Sequence, residues 1–328
     1  MNDEPALRAA VILACREARR WVGATSPNPP VGAAALDADG RVLAVAAHQR
    51  AGTLHAEARL LADCRERGIL GQVVTLAATL EPCNHHGRTP PCSEAILTAG
   101  IRRVAIGMRD PNPYVAGGGV ERLRSAGVEV VEGVGATECR LLLHAFTYSV
   151  LIERPWITVK RAFDANGSMI PPPGRKTFTS PASLTLGHRL RKKADAIVTG
   201  SGTILADDPA FTVRHLPDHP GKRRFLAILD RRRRVPQAYL EAAAARGLDP
   251  LLYDDLESAI AELHTRGVRD ILVEAGPSVS DLVLTGPFWC LAVDIKTGEP
   301  DLVTYRLNRA APLPFAIDSF DPEAILPL

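Results

Sequence analysis

Glu81-Pro82-Cys83-Asn84-His85-His86-Gly87-Arg88-Thr89-Pro90-Pro91-Cys92, downstream of His55-Ala56-Glu57, decides how this chain is read. Two cysteines flank a proline-rich turn and a histidine precedes them. A catalytic zinc takes three protein ligands from Cys and His and keeps its fourth position for water, whose pKa falls to about 7 on binding. His55, Cys83 and Cys92 make up such a set. Glu57 follows the histidine by two residues, at the start of a segment read as helix over 57–67, so its carboxylate can face the water without being a ligand. A zinc deaminase has this arrangement: a non-ligand glutamate moves protons while water attacks an amidine-like ring carbon. A structural zinc would take a fourth ligand, which His85 or His86 could supply, and would have no use for Glu57.

The chain has 328 residues, about two domain lengths, and a net charge of +2 with the signs mixed throughout. That balance carries no nucleic-acid footprint, so a small-molecule substrate is expected and nucleic acid is not. The run Arg231-Arg232-Arg233-Arg234 reads as a solvated turn, and His188, among basic neighbours on a helix, as a structural or substrate-adjacent residue. Apart from Cys83 and Cys92, the cysteines (Cys15, Cys64, Cys139 and Cys290) have no disulfide-scaffold spacing, which fits a reducing cytoplasm. No charged-then-apolar leader and no long apolar run is present, so neither secretion nor a membrane is expected.

Apolar periodicity predicts a helix over 6–22, a hairpin of Val31–Leu36 and Val42–Ala47 about Asp37-Ala38-Asp39-Gly40, then alternating strands and helices to about 131 and a helix over 137–147. Such alternation implies a sheet covered on both faces. Residues 1–148 form the expected first domain, 149–155 a linker broken at Pro155, and 156–328 the second domain. In the second domain helices are predicted over 181–193, 254–266 and from Pro277, and strands at 156–160, 196–199, 224–229 and 270–274. Gly200, Ser201 and Gly202 follow a strand and Gly276 follows Glu274, small residues that let backbone amides approach a dinucleotide.

The eight-residue spacing of the cysteines, with Thr79-Leu80-Glu81-Pro82-Cys83, Pro27-Asn28-Pro29-Pro30-Val31-Gly32, His48-Gln49-Arg50-Ala51-Gly52 and Asp110-Pro111-Asn112-Pro113 with Val115-Ala116-Gly117, resembles the deaminase half of the bifunctional riboflavin-biosynthesis deaminase/reductase family. The resemblance implies a cytidine-deaminase-like α/β/α domain, with Asn28, His48, His85 and Arg88 contacting the substrate. Ala194 to Arg214, with Thr179-Ser180-Pro181, His188-Arg189-Leu190-Arg191, Leu229-Asp230, Arg234-Val235-Pro236 and Val273-Glu274-Ala275-Gly276-Pro277, resembles the reductase half, whose fold is similar to dihydrofolate reductase. That implies NADPH as hydride donor and a site drawn from Lys160, Ser180, Arg191, Thr203, Asp207, Phe211, Arg214, Glu274 and Gly276. Within it, Arg191 and Arg214 would take the substrate's 5′-phosphate, Asp207 the sugar, and Lys160 the neighbourhood of the reacting carbon.

The implied function is zinc-dependent deamination of a phosphoribosylaminopyrimidine followed by reduction of its ribosyl group, in a homo-oligomer. Three departures from the family bear on the second half. Asp164 stands where a hydroxyl is expected, Pro171–Phe178 lacks the usual Ser-Gln-Trp, and after Leu284 an Asp-Glu strand and its following loop are absent from the expected pattern. The competing reading is an active deaminase fused to a reductase-like domain that is inactive, purely structural, or acts on another sugar phosphate.

Overall fold

Leu7, Ala10, Val11, Ala14 and Ala18 recur at helical spacing, and helix α1 (Glu4–Arg19) buries all five. It packs against a hairpin of β1 (Gly32–Leu36) and β2 (Val42–Ala47), whose turn is closed by Asp37 Oδ1 accepting the Asp39 and Arg41 amides at 2.9 Å. The computed structural model describes residues 4–85, 90–113, 118–170 and 177–328. Contacts divide the chain into two units: Met1–Leu151 with Pro314–Leu328, and Ile152–Leu313.

In the first unit the hairpin is followed by α2 (Ala56–Glu66), β3 (Thr75–Ala78), α3 (Cys92–Thr98), β4 (Arg103–Ile106), α4 (Gly118–Ser125), β5 (Glu129–Glu132), α5 (Ala136–Leu142) and α6 (His144–Ile152). Among the described residues the sheet runs β2-β1-β3-β4-β5, with β1 antiparallel to both neighbours and β3, β4 and β5 parallel. Parallel strands covered on both faces are buried on both, and β3 is buried at every position and β4 at all but its first. The predicted helix over 137–147 is interrupted at Leu143, and α6 then carries helix through 149–152, which the sequence reading gives to a linker. Tyr148 and Ser149 are buried and nothing in His144–Ile152 breaks a helix; Pro155 disfavours helix only at the residue before it.

The second unit contains β6 (Trp156–Phe163), α7 (Pro181–Lys193), β7 (Ala196–Gly200), α8 (Ser201–Asp207), β8 (Arg224–Leu229), α9 (Gln237–Ala245), β9 (Leu248–Tyr253), α10 (Leu256–Thr265), β10 (Asp270–Val273), α11 (Pro277–Thr285), β11 (Leu291–Lys296) and β12 (Leu302–Leu307). The described strands order as β12-β11-β6-β10-β7-β8-β9, parallel except at β12. β7 and β10 are wholly buried, whereas β12 alternates exposed and half-buried residues, as an edge strand does.

The structure corrects the expectation of a missing strand after Leu284. β11 pairs in parallel with β6, and its acid, Asp294, is accommodated because Arg161 of β6 donates to both carboxylate oxygens, at 2.8 and 2.9 Å. The boundary at residue 328 also changes, since residues 314–328 belong with the first unit. Ile325 and Leu326 are each 1% exposed, the Arg19 side chain donates to the carbonyls of Glu323 and Leu326, and the Leu328 amide donates to the Arg19 carbonyl at the end of α1. Ending the chain after Leu313 is therefore expected to destabilise the first unit, because it removes two buried aliphatic side chains and the carbonyl partners of Arg19. Hydrogen exchange should accelerate across α1 and stay unchanged across β7 and β8; unchanged exchange in α1 would show that the segment contributes nothing there.

Candidate active sites

His55 is the N-cap of α2, Cys92 is the first residue of α3, and Cys83 lies in the turn leaving β3. Their ligand atoms all lie within 4.8 Å of one another. Tetrahedral zinc, with Zn–S about 2.3 Å and Zn–N about 2.0 Å, would separate sulfur from nitrogen by about 3.5 Å. His55 Nδ1 stands 3.5 Å from Cys83 Sγ and 3.5 Å from Cys92 Sγ, so the donor set fits the ion. The Cys92 amide donates to Cys83 Sγ at 3.4 Å. Hydrogen bonds from the Cys92 and His55 side chains lower the Cys83 pKa, and the same contact raises that of Cys92. Glu57, in the first turn of α2, is 3% exposed, and burial pushes its carboxyl up to about 7.

Asn28 and His48 meet beside this centre. His48 Nδ1 lies 3.0 Å from the Leu54 carbonyl, which can only accept, so Nδ1 carries the proton and Nε2 accepts from Asn28 Nδ2 at 3.3 Å. Burial lowers the His48 pKa, in keeping with that neutral tautomer, and its ring packs edge-on to His55 with centroids 5.4 Å apart. The pairing leaves the Asn28 Oδ1 acceptor to be turned toward a ligand. His85 is exposed in the cysteine turn, and Arg88 lies outside the described residues, as do Val115, Ala116 and Gly117.

Glu81, quoted above only as part of a motif, proves to be the tie that sets the turn. One carboxylate oxygen accepts the Gly119 and Val120 amides at 3.0 and 3.1 Å, and the other the Asp110 amide at 3.2 Å. The Pro82-Cys83 turn thus rests on the start of α4, where a Cβ on Gly119 would stand 1.9 Å from the Pro82 carbonyl oxygen. The signal in the sequence was an acid two residues before a candidate metal ligand, with a glycine pair opening a later helix; their pairing depends on the fold.

In the second unit Lys160 on β6, Arg191 on α7 and Glu274 just beyond β10 converge. Glu274 accepts from Arg191 Nε and Nη2 at 2.7 and 2.8 Å and from Lys160 Nζ at 3.4 Å. Burial opposes the Glu274 charge, but Arg191 and Lys160 outweigh it and hold the carboxyl down at about 2. Arg191 Nη1 donates to the Thr212 carbonyl at 3.0 Å, so the guanidinium expected to take a phosphate is engaged within the protein on three of its donors. Its carbon lies 6.0 Å from the centroid of the Phe211 ring, which is buried. Arg214 and Asp207 are exposed. Ser180 caps α7, accepting the Ser183 amide at 3.3 Å, and its own amide donates to Asp301 at 2.7 Å.

Gly200 and Gly276 are the N-caps of α8 and α11, which start at the carboxyl ends of the adjacent strands β7 and β10. The Gly276 amide donates to Thr203 at 2.9 Å, and a Cβ on Gly200 would come within 2.8 Å of Val279. The glycine-rich turn of the sequence reading is therefore the beginning of a helix, packed closely on its neighbour. Beside it a cavity of about 760 Å³ is lined by Ser201, Asp230, Arg231, Arg232, Arg234 and Phe288 among others, and Arg234 donates to Ser201 Oγ at 2.8 Å. Part of the arginine run thus faces a concave site of ligand size. Asp164, expected to disturb the reductase, closes a turn: Oδ1 accepts the Asn166 and Ser168 amides at 2.9 and 2.8 Å. Residues 171–176 lie outside the described residues.

Residues 6–108 match the family described as the cytidine and deoxycytidylate deaminase zinc-binding region, and residues 155–285 match the RibD C-terminal domain. The riboflavin biosynthesis protein RibD of Actinobacillus pleuropneumoniae is 36% identical over 277 residues, covering 83% of this chain and 70% of that protein. The RibD protein of Aquifex aeolicus is 41% identical over 225 residues, covering 68% of this chain and 62% of that protein, so the match spans less than two thirds of the latter's length. A crystal structure of a diaminohydroxyphosphoribosylaminopyrimidine deaminase/5-amino-6-(5-phosphoribosylamino)uracil reductase from Thermotoga maritima superposes with a TM-score of 0.78 at 31% identity, covering 90% of this chain and 87% of that one. A cytidine-deaminase-like unit whose His55, Cys83 and Cys92 could hold a metal ion, followed by a reductase-like unit, matched together at this identity, places the chain in the RibD family of riboflavin biosynthesis proteins.

Proposed function

We propose that the chain catalyses two successive steps of riboflavin biosynthesis: hydrolytic deamination of 2,5-diamino-6-ribosylamino-4(3H)-pyrimidinone 5′-phosphate, then NADPH-dependent reduction of the ribosyl group to ribityl. One observation carries the reading, the convergence of His55, Cys83 and Cys92 within 4.8 Å beside the buried Glu57. His55 Nδ1 and the two sulfurs would hold zinc. When bound, zinc supplies the acidification that makes water a nucleophile near neutral pH. Glu57 takes one proton from the attacking water on a carboxylate oxygen and delivers it to the ring nitrogen, then carries the added hydroxyl's proton to the amino group, which leaves as ammonia while the carbonyl forms. Asn28, held by His48, reads the pyrimidine's amide edge, and His85 and Arg88 serve the ribose phosphate.

In the second unit bound NADPH would supply the hydride for reduction at the ribosyl C1′, a step that also takes up one proton. Helix starts at Gly200 and Gly276 suit its phosphates, and Arg231, Arg232 and Arg234 suit a 2′-phosphate, which favours NADPH over NADH. Lys160, paired with Glu274, stands by the reacting carbon, Arg214 takes the 5′-phosphate, Asp207 binds the sugar, and Ser180, Thr203 and Phe211 complete the wall. Arg191 holds Glu274 in place and bears on the phosphate from behind it. The engagement of Asp164 in its own turn supports a working reductase, because the acid is spent locally. A reducing cytoplasm and a homo-oligomeric assembly accompany this reading; the cysteines are free thiols, and among the described residues no helix is long and apolar enough to cross a membrane.

Glu57→Gln should retain zinc while ammonia release falls by about 10²–10⁴-fold, the usual worth of a general acid–base group. Zinc content with persistent activity would remove Glu57 from the mechanism. A chelator should abolish ammonia release yet leave oxidation of NADPH intact when the deaminated intermediate is supplied. No NADPH oxidation with that intermediate, in protein that deaminates normally, would overturn the second half of the proposal.

A further inference from the structure

The described segment Pro209–Arg214 has no regular secondary structure, yet it carries Phe211 and Arg214 to the second unit's site. Phe211 has φ +51 and is buried, a left-handed conformation that a bulky residue adopts only when its surroundings impose it. Three ties impose it. Tyr239 Oη donates to the Pro209 carbonyl at 2.7 Å, Arg191 Nη1 donates to the Thr212 carbonyl at 3.0 Å, and the Arg214 amide donates to His188 Nδ1 at 2.9 Å. His188 and Arg191 are three residues apart on α7 and so share a face, and together they grip the segment at residues 212 and 214.

We propose that His188 is a positioning residue of the reductase site: its Nδ1 fixes the Arg214 backbone and thereby aims the guanidinium at the substrate's 5′-phosphate. The inference rests on the reductase reading above. An imidazole nitrogen that accepts a backbone N–H is bare, so His188 is the neutral tautomer with its proton on Nε2. The surroundings keep it so. His188 is 3% exposed, its ring lies 4.5 Å from that of His215, and the titratable and charged groups facing it are Arg191, Arg214 and His215 against a single acid, Glu274. Burial, reinforced by the two guanidinium groups, lowers its pKa to about 4, so the acceptor persists at neutral pH. Arg214 Nη1 in turn donates to Thr212 Oγ1 at 2.9 Å, which links the side chain's direction to the same stretch of backbone. His188 is thus distinguished from its basic neighbours on the helix by what its ring accepts, not by its charge.

The test is a comparison of His188→Phe with His188→Asn in the full chain. Asparagine can present Oδ1 where Nδ1 stood; phenylalanine fills the space and accepts nothing. His188→Phe should raise KM for the phosphorylated, deaminated intermediate about tenfold or more, leaving kcat and KM for NADPH within about twofold, as loss of an orienting hydrogen bond to a binding segment predicts. KM for the dephosphorylated intermediate should not move, and His188→Asn should restore the phosphorylated value. Equal losses with both substrates, a fall in kcat alone, or no rescue by asparagine would overturn the proposal. Should the unaltered protein fail to oxidise NADPH, the reductase reading is what has failed. Hydrogen exchange at the Arg214 amide then decides the structural part: protection lost in His188→Phe and kept in His188→Asn supports it, and equal protection in all three proteins refutes it.

Discussion

Three ligand atoms from three separate segments can meet in the first unit only because two helices begin where two of the ligands stand. His55 caps α2, Cys92 opens α3, and Cys83 hangs from the turn after β3. The turn is the variable part, and Glu81 removes its freedom by taking three backbone amides, two of them at the start of α4. Those amides have no partner inside their own helix, so the carboxylate satisfies them while it anchors the metal-binding turn. Burying that carboxylate would be costly without such partners. The same contact leaves no room for a side chain at Gly119.

The second unit uses a different constraint, a buried charge cluster at the carboxyl ends of parallel strands. Glu274 would be expensive to bury alone; Arg191 meets it through two parallel hydrogen bonds and Lys160 adds a third. The geometry changes the meaning of Arg191. The resemblance implies a phosphate ligand; in the fold three of its donors are engaged by Glu274 and the Thr212 backbone, so it also braces that acid and the segment bearing Arg214. Arg214, at the other end of the motif, is exposed.

Beyond residue 285, where the RibD C-terminal match ends, the chain builds β11 and β12 into the same sheet and then returns residues 314–328 to the first unit. The segment that looked least like the family therefore completes both units: one strand beside β6, whose Lys160 lines the site, and one apolar clasp on α1. Within β11 the charge of Asp294 is met across the strands by Arg161 of β6.

Local chemistry determined what could be read without coordinates. The candidate ligand set, Glu57, the hairpin at Asp37–Gly40 and the alternation of strands and helices depend on residue type and short spacing, and the hairpin and the alternation recur in the fold within a few residues. What the tertiary structure alone decided were relations between residues far apart in the chain: Glu81 with Gly119, Arg191 with Glu274, His188 with Arg214, Asp294 with Arg161 and Arg19 with Leu326. Each joins a charged or polar group to a partner on another element, and a single sequence shows only that the group exists. Folding supplies the partner, since a buried polar group must find one, and the partner's identity turns a ligand candidate into a brace or an acid into a turn.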